Sequence, residues 1–464
     1  MLDWKSLLEP YKKPLLEDLD GLLRIPSVKN VETVSDQAPF GQGIADALQY
    51  MLDLGERDGF TSKNIQGYAS RVSLGQGTES LAILSHLDVV PADPNQWETN
   101  PFVPEIKDGK LIARGALDDK GPTLMAYYAV KILNDIGVTW NKEIQLIYGT
   151  DEENDWEGVR YYFEHEAMPD YGIVPDGIFP MIYAEKGVAQ IDLTGHFDTK
   201  VLQSFQSGQT YNQVPDLATA TINNQQVVTT DFETYLTQHH LTGKLTNDGN
   251  QQTLTLIGKA AHGSSPQSGL NAATYLADFL SKQKLDKVSY QLLTFIKDKL
   301  HDNQDGKKFD LDFQDEELGA TTLNPAIFSF VNGLLRIGID FRYPAGFEFS
   351  KALAHLQATA KDFDLSAQLI SLKEPSHTDL NHPYTKKLLA IYRKHTGDKT
   401  PALAIGGITY GRVFKQGVTF RPAFLGKKAT LHQPNEYIEL EDLFKALEIY
   451  LDALYQLATE EGKS

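Results

Sequence analysis

The chain contains no cysteine among its 464 residues. A thiol nucleophile, a disulfide framework, a thiolate-ligated zinc and an iron–sulfur cluster are therefore excluded. Any metal must be held by His, Asp or Glu. Basic residues are also short: 43 Lys and Arg face 62 Asp and Glu, a net charge of −19. That sign disfavours contact with nucleic-acid phosphates or an anionic membrane surface, so neither is expected as a partner. No apolar run approaches the roughly 18 residues that span a bilayer. The opening Met1-Leu2-Asp3-Trp4-Lys5 lacks the basic-then-apolar order of a signal peptide, so a cytoplasmic location is expected. Several catalytic signatures are missing too: no G-x-S-x-G elbow, no Walker A loop and no H-E-x-x-H. Gly41-Gln42-Gly43 stops short of a dinucleotide-binding loop.

What is present suits a protein with a substantial core. Hydrophobic residues make up 41% and charged residues 23%, and the length predicts two to three domains. Leucines at helical spacing predict a helix over 4–23, and a second is predicted over 44–54, stopped by Gly55. The apolar runs 80–89 and 144–149 read as buried strands. Asp108-Gly109 predicts a hairpin turn between 102–106 and 110–114. Helices are predicted over 122–136 and 156–166. Strand–helix alternation implies an α/β catalytic domain with a mostly parallel central sheet flanked by helices. From 187 to about 373 the pattern changes. Strands 188–196, 253–258, 334–342 and 367–372 alternate apolar and polar residues, with amphipathic helices at 270–283 and 347–362. This reads as an α+β unit inserted into the first domain. The Gln/Thr/Asn-rich stretches 223–230 and 246–253 read as exposed loops or turns. After 374 helix and strand return, ending in a helix over 440–457. The expected domains are thus 1–186 with 374–464, and 187–373.

Chemistry-bearing residues collect in the loops that follow strands. His86-Leu87-Asp88 stands at the tip of an apolar strand, where open α/β sheets place ligands. Asp88 could accept the second ring N–H of His86. Asp118-Asp119-Lys120-Gly121 precedes a helix, Asp151-Glu152-Glu153 follows a strand, Pro175-Asp176-Gly177 follows another, and His432-Gln433-Pro434-Asn435-Glu436 lies near the C-terminus. Singly, each also reads as ordinary structure: a helix cap, a solvated acidic loop or a tight turn. Together they offer imidazoles and carboxylates without thiols. That inventory suits two borderline metal ions with one bridging carboxylate, and a neighbouring Glu as general base.

S-H-L-D-V-V-P at 85–91, R-G-A-L-D-D-K-G-P at 114–122 and T-D-E-E at 150–153 resemble the di-zinc exopeptidases that include carboxypeptidases, aminoacylases, desuccinylases and carnosinase. The resemblance spans essentially the whole chain. Within that superfamily the chain most resembles the peptidase V dipeptidases, through P-D-G at 175–177, A-E-K-G at 184–187, A-H-G-S-S-P at 261–266, F-R-Y-P at 341–344, G-G-I-T-Y-G-R at 406–412 and L-H-Q-P-N-E at 431–436. It implies two zinc ions, with manganese or cobalt as substitutes. His86 and Asp176 would bind one, Glu153 and His432 the other, and Asp118 would bridge them, with a cis peptide bond after it. Glu152 would be the general base and Asp88 would hold His86. The inserted domain would be a lid. Its His262 would stabilise the oxyanion, Arg342 would grip the substrate carboxylate, and Asn212, Gly406 and Gly407 would add hydrogen bonds. Ile408 departs from the pattern, since peptidase V has a third glycine there. The resemblance further implies a monomer acting on small dipeptides. N-acyl-amino-acid deacylase or carboxypeptidase activity in the same superfamily, and a non-catalytic metal-binding protein, are the alternative readings.

Overall fold

A computed structural model describes residues 2–223, 227–428 and 430–463. The chain divides into two compact units. One comprises Met1–Ala184, His377–Leu403 and Ile408–Ser464, the other Glu185–Ser376 and Ala404–Gly407.

The first unit is built on a mixed sheet. Its strands run in the order Thr61–Ile65, Ala69–Leu74, Glu143–Gly149, Ser80–His86, Tyr171–Val174, Gly417–Thr419 and Ile182–Glu185. The central pairings, from Glu143–Gly149 through Gly417–Thr419, are parallel, and the outer ones are antiparallel. Parallel strands buried on both faces must be apolar throughout. Ser80–His86 meets this, being buried from Leu81 onward. Helix Lys120–Asp135 is buried on every side through Val130, and it packs with Leu440–Ala458 in one core. A three-stranded ribbon of Glu105–Lys107, Lys110–Ile112 and Tyr437–Glu439 lies apart from the main sheet. Its turn is Asp108-Gly109, both residues at positive φ, as a two-residue hairpin requires.

The second unit carries an eight-stranded antiparallel sheet, ordered Thr242–Asp248, Gln251–Ile257, Leu217–Asn223, Leu202–Ser207, Thr322–Val331, Leu334–Tyr343, Gly187–His196 and Ser366–Lys373. Helices Thr229–Gln238, Ala272–Leu280, Lys287–Phe295 and Phe349–Lys361 contribute to its own apolar core. Ala404–Gly407, expected with the segment 374–464, goes with this unit. Lys186 N donates to Ile405 O at 3.0 Å, and Arg342 Nη1 to Gly406 O at 2.7 Å.

Several expected elements differ. The helix expected over 4–23 is broken into Trp4–Leu8, a 3-10 turn Glu9–Tyr11 and Lys12–Leu23. Pro10 lacks the N–H that would continue the helix, whereas Pro14 falls in the first turn of the next, where it is tolerated. The stretch 246–253 is an exposed hairpin tip, its turn at 249–250 flanked by paired strand ends, and of 223–230, residues 224–226 lie outside the described residues. Gly55 does not stop its helix, which runs Gln42–Arg57. It is instead a contact point, since a Cβ there would stand 2.7 Å from Val72 Cγ2 and 2.8 Å from Ser62 Oγ. Gly55→Ala therefore sets an overpacking cost of about 1–3 kcal/mol against a helix-propensity gain of about 1 kcal/mol. A lowered urea unfolding midpoint is the expected result, and a raised one would show that the contact yields.

Candidate metal centre

Four adjacent parallel strands deliver their carboxyl ends to one place. His86 closes Ser80–His86, Glu152 and Glu153 follow Glu143–Gly149, Asp176 follows Tyr171–Val174, and Arg421 follows Gly417–Thr419. The crevice beyond strand carboxyl ends is where open α/β sheets bind ligands. Asp118 enters from the loop before helix Lys120–Asp135, with a cis peptide bond to Asp119. His432, at positive φ, arrives from the loop before Tyr437–Glu439.

Two groups of donors result: His86 with Asp118 and Asp176, and Asp118 with Glu153 and His432. Within each group the donor atoms all lie within 4.8 Å of one another. Asp118 is common to both, and its two oxygens are divided between them. His86 Nε2 lies 3.3 Å from Asp118 Oδ1 and 3.8 Å from Asp176 Oδ2. His432 Nε2 lies 3.0 Å from both Asp118 Oδ2 and Glu153 Oε1. Tetrahedral ligands about 2.0–2.1 Å from a zinc ion stand roughly 3.3 Å apart, so these spacings fit a cation in each group. The electrostatics fit as well. Burial, then the charges of Asp176, Glu153 and Asp88, push the Glu152 carboxyl well above its usual range. Burial and then Asp118 raise Asp176, and burial with Asp176 raises Asp119. Asp118 goes the other way: Arg421, His432 and His86 hold it well below the usual range against its burial. Carboxylates crowded and buried this way call for cations.

Structural hydrogen bonds fix these donors. His86 Nδ1 donates to the backbone carbonyl of Asp88 at 2.9 Å, which leaves Nε2 for a metal. Asp88 thus holds His86 through its backbone carbonyl, and its carboxylate Oδ1 stands 3.5 Å from the same ring nitrogen. Its two oxygens accept from the amides of Glu152 and Glu153, each at 3.1 Å. The reason is local: the acidic turn presents two amide donors, and a carboxylate between them satisfies both. Asp151 is likewise structural. It accepts Lys29 Nζ at 2.6 Å and the amides of Asp155 and Glu157.

Sequence reasoning gave no role to four residues around the centre. Glu436 accepts the amides of Leu117 and Asp118 at 2.8 and 3.0 Å, and pairs with Arg114 at 2.6 Å, all buried. Lys120 is fully buried, donates to Leu22 O and Ile25 O, and is pushed down to about 7 by burial. Arg421 pairs with both Asp118 and Asp176. One signal was available for Arg421: a charge directly after a buried strand, the same mark that His86 and Asp176 carry.

The remaining expected residues lie in the second unit. His262 is exposed, and Gln213 bridges to it. Gly263 N donates to Asn212 O at 2.6 Å, and a Cβ at Gly263 would meet Asp340 Oδ2 at 2.7 Å, so a side chain there would have to displace Asp340. His262 Nδ1 lies 2.7 Å from Ser264 Oγ and 3.3 Å from Ser264 N, which leaves Nε2 as its outer ring nitrogen. Arg342 is buried, with Nε and Nη2 on Asp340 and Nη1 on Gly406 O. These bonds use three of the five guanidinium N–H groups. Gly407 follows on the same short segment, half-buried. The structure thus gathers Asn212, His262, Arg342 and Gly406 on neighbouring loops and strands of this unit.

Comparison with known proteins matches residues 82–456 to Peptidase family M20/M25/M40. The chain is 41% identical over 468 residues to a Staphylococcus haemolyticus protein named putative dipeptidase, covering 98% of this chain and 100% of that one. A Staphylococcus aureus protein of the same description is 41% identical over 471 residues, covering 99% and 100%. Among solved structures, human carnosine dipeptidase 1 superposes with a TM-score of 0.60 at 14% identity, over 97% of this chain and 98% of that one. The Saccharomyces cerevisiae di-peptidase Dug1p superposes with a TM-score of 0.59 at 14% identity, over the same shares. At such identities these two structures show a shared fold.

Without a cation, hydrogen bonds to Asp118 and Glu153 outweigh burial and push His432 up to about 10. It then holds a proton at neutral pH, and a metal must displace it. Metal binding at pH 7.5 is therefore expected to release about one proton from this residue. Affinity should rise with pH up to about 10. Calorimetric titration in buffers of different ionisation enthalpy measures the release, and a buffer-independent heat would contradict it.

Proposed function

The chain belongs to Peptidase family M20/M25/M40, and from that membership we propose that it is a metal-dependent dipeptidase hydrolysing unblocked dipeptides, with Glu152 as general base. The observation that carries this reading is the pair of donor groups sharing Asp118, with Glu152 beside them. The relatives named dipeptidase are matched along their whole length, which supports the substrate class.

His86, Asp118 and Asp176 would hold one ion and Asp118, Glu153 and His432 the other, zinc by donor chemistry, with manganese or cobalt able to replace it. A bound metal pair supplies acidified water and a polarised carbonyl. The protein's part begins at Glu152. Its carboxylate takes the proton of the water that attacks the peptide carbon, then passes it to the amine nitrogen as the C–N bond breaks. The Asp88 carboxylate, bonded to the Glu152 and Glu153 amides, sets the position of base and ligand together. His262 Nε2–H is the assigned donor to the developing oxyanion. The N–H groups of Arg342 not spent on Asp340 and Gly406 are assigned to the substrate's C-terminal carboxylate. Asn212 and the Gly406 and Gly407 amides are assigned supporting hydrogen bonds. Segment 187–373 is read as a lid that limits substrate length, and the protein as a cytoplasmic monomer. Among the described residues no helix is long and apolar enough to cross a membrane.

The test is hydrolysis, by metal-loaded protein, of an unblocked dipeptide, its N-acetylated form and a tripeptide. Cleavage confined to the unblocked dipeptide is expected. Cleavage of the acetylated compound would move the protein to the deacylase or carboxypeptidase reading. Glu152→Ala should lower kcat by about a thousandfold, within the usual general-base range. Its metal content by mass spectrometry should be unchanged, and an active Glu152→Ala enzyme would remove Glu152 from the mechanism.

A further inference from the structure

Arg421 is the one arginine or lysine whose ion pairs reach the proposed metal ligands among the described residues. It is 3% exposed. Nη2 lies 2.9 Å from Asp118 Oδ1 and donates to Leu117 O at 2.7 Å, and Nη1 lies 3.2 Å from Asp176 Oδ1. Both carboxylates belong to the group that contains His86. The oxygen of Asp118 that Arg421 holds is the one nearest His86, whereas the oxygen facing His432 is the other. Glu153 has His432 as its ion-pair partner. The two neighbouring cations are committed elsewhere: Arg114 to Glu436, and Lys120 to two backbone carbonyls.

The donor groups are therefore equal in ligand chemistry and unequal in field. A guanidinium cannot lose its proton in a protein, so its charge stays when a cation arrives. An ion entering between His86, Asp118 and Asp176 must share two carboxylates with a permanent positive charge, or displace it into a buried surrounding. An ion entering between Asp118, Glu153 and His432 shares one carboxylate, Asp118, with that charge, and faces its other oxygen.

We propose that Arg421 acts as a built-in cation that sets the order of metal loading. The Asp118–Glu153–His432 site fills first and tightly, and the His86–Asp118–Asp176 site fills second and more weakly. This rests on the two-metal reading above and deepens it: the protein would carry one metal when metal is scarce and two only when it is plentiful. Arg421 is a positioning residue here, acting through Asp118 and Asp176.

The experiment is a Co2+ titration of chelator-treated full-length protein, followed by calorimetry and by visible absorption of the bound ion. Wild type should bind in two steps whose Kd values differ by at least about tenfold, a gap within the usual range of coupling between sites. His86→Ala should remove the weak step and His432→Ala the tight one. Arg421→Met should tighten the weak step by about tenfold while Arg421→Lys preserves the gap, which a merely structural role would not produce. Two equal steps in wild type would overturn the proposal. So would loss of the tight step in His86→Ala, or an Arg421→Met weak step that is unchanged or weaker. The wild-type, His86 and His432 titrations decide the matter if Arg421→Met does not fold. Failure of wild type to bind Co2+ at all would be a different result, removing the two-metal reading itself.

Discussion

Negative charge crowded into a buried space is the constraint on which this structure turns. Asp88, Asp118, Asp119, Glu152, Glu153 and Asp176 all approach the carboxyl ends of the parallel strands, and several are deeply buried. Repulsion among such groups, and the loss of their hydration, would destabilise the fold if nothing answered them. The protein answers them in three ways. Backbone amides take Asp88 and Glu436, histidines and Arg421 pair with Asp118 and Asp176, and the donor geometry leaves room for cations.

Rigid elements hold this arrangement in register. Each strand of the parallel set is tied to its neighbour, with His86 opposite Gly149, so histidine and acidic turn leave the sheet side by side. Glu436 then joins two loops distant in the chain. It receives the amides before and at Asp118, while the ribbon strand Tyr437–Glu439 that follows it pairs with Lys110–Ile112. That ribbon brings the loop of His432 to Glu153 across 279 residues of sequence. Lys120 closes the carbonyl end of helix Lys12–Leu23, so the loop that presents Asp118 is anchored on both sides. Glu152 and Glu153, whose amides are held by one carboxylate, Asp88, are fixed relative to each other at the backbone.

Much of this was legible in residues alone. The buried strands announced themselves as short apolar runs, and the polar cluster at the end of each marked the places where ligands collect. The Asp108-Gly109 turn was readable because a two-residue hairpin demands positive φ. What failed to show was whatever depends on partners far away in sequence. Gly55 read as a helix stop, yet Val72 and Ser62 make it a contact. Asp88 read as a partner for an imidazole, and nothing nearby in sequence said that its carboxylate would also receive two amides from another strand's end. Arg421 carried a strand-end signal, but nothing in its own neighbourhood said which acids it would meet. The antiparallel outer strands also gave no sign of their direction, since period-two patterning is the same either way.

The amino-acid sequence by itself determined the donor inventory: imidazole and carboxylate without thiol, placed in loops after strands. That much follows from residue type and local periodicity, which no folding can change. Only the tertiary structure decided how the donors are shared. It divides the two oxygens of Asp118 between two groups and gives Asp88 to the amides of the acidic turn. It also sets one permanent positive charge against two carboxylates of one group and only the shared Asp118 of the other. Such choices are made by distances between atoms hundreds of residues apart, and those distances exist only once the sheet has brought the strand ends together.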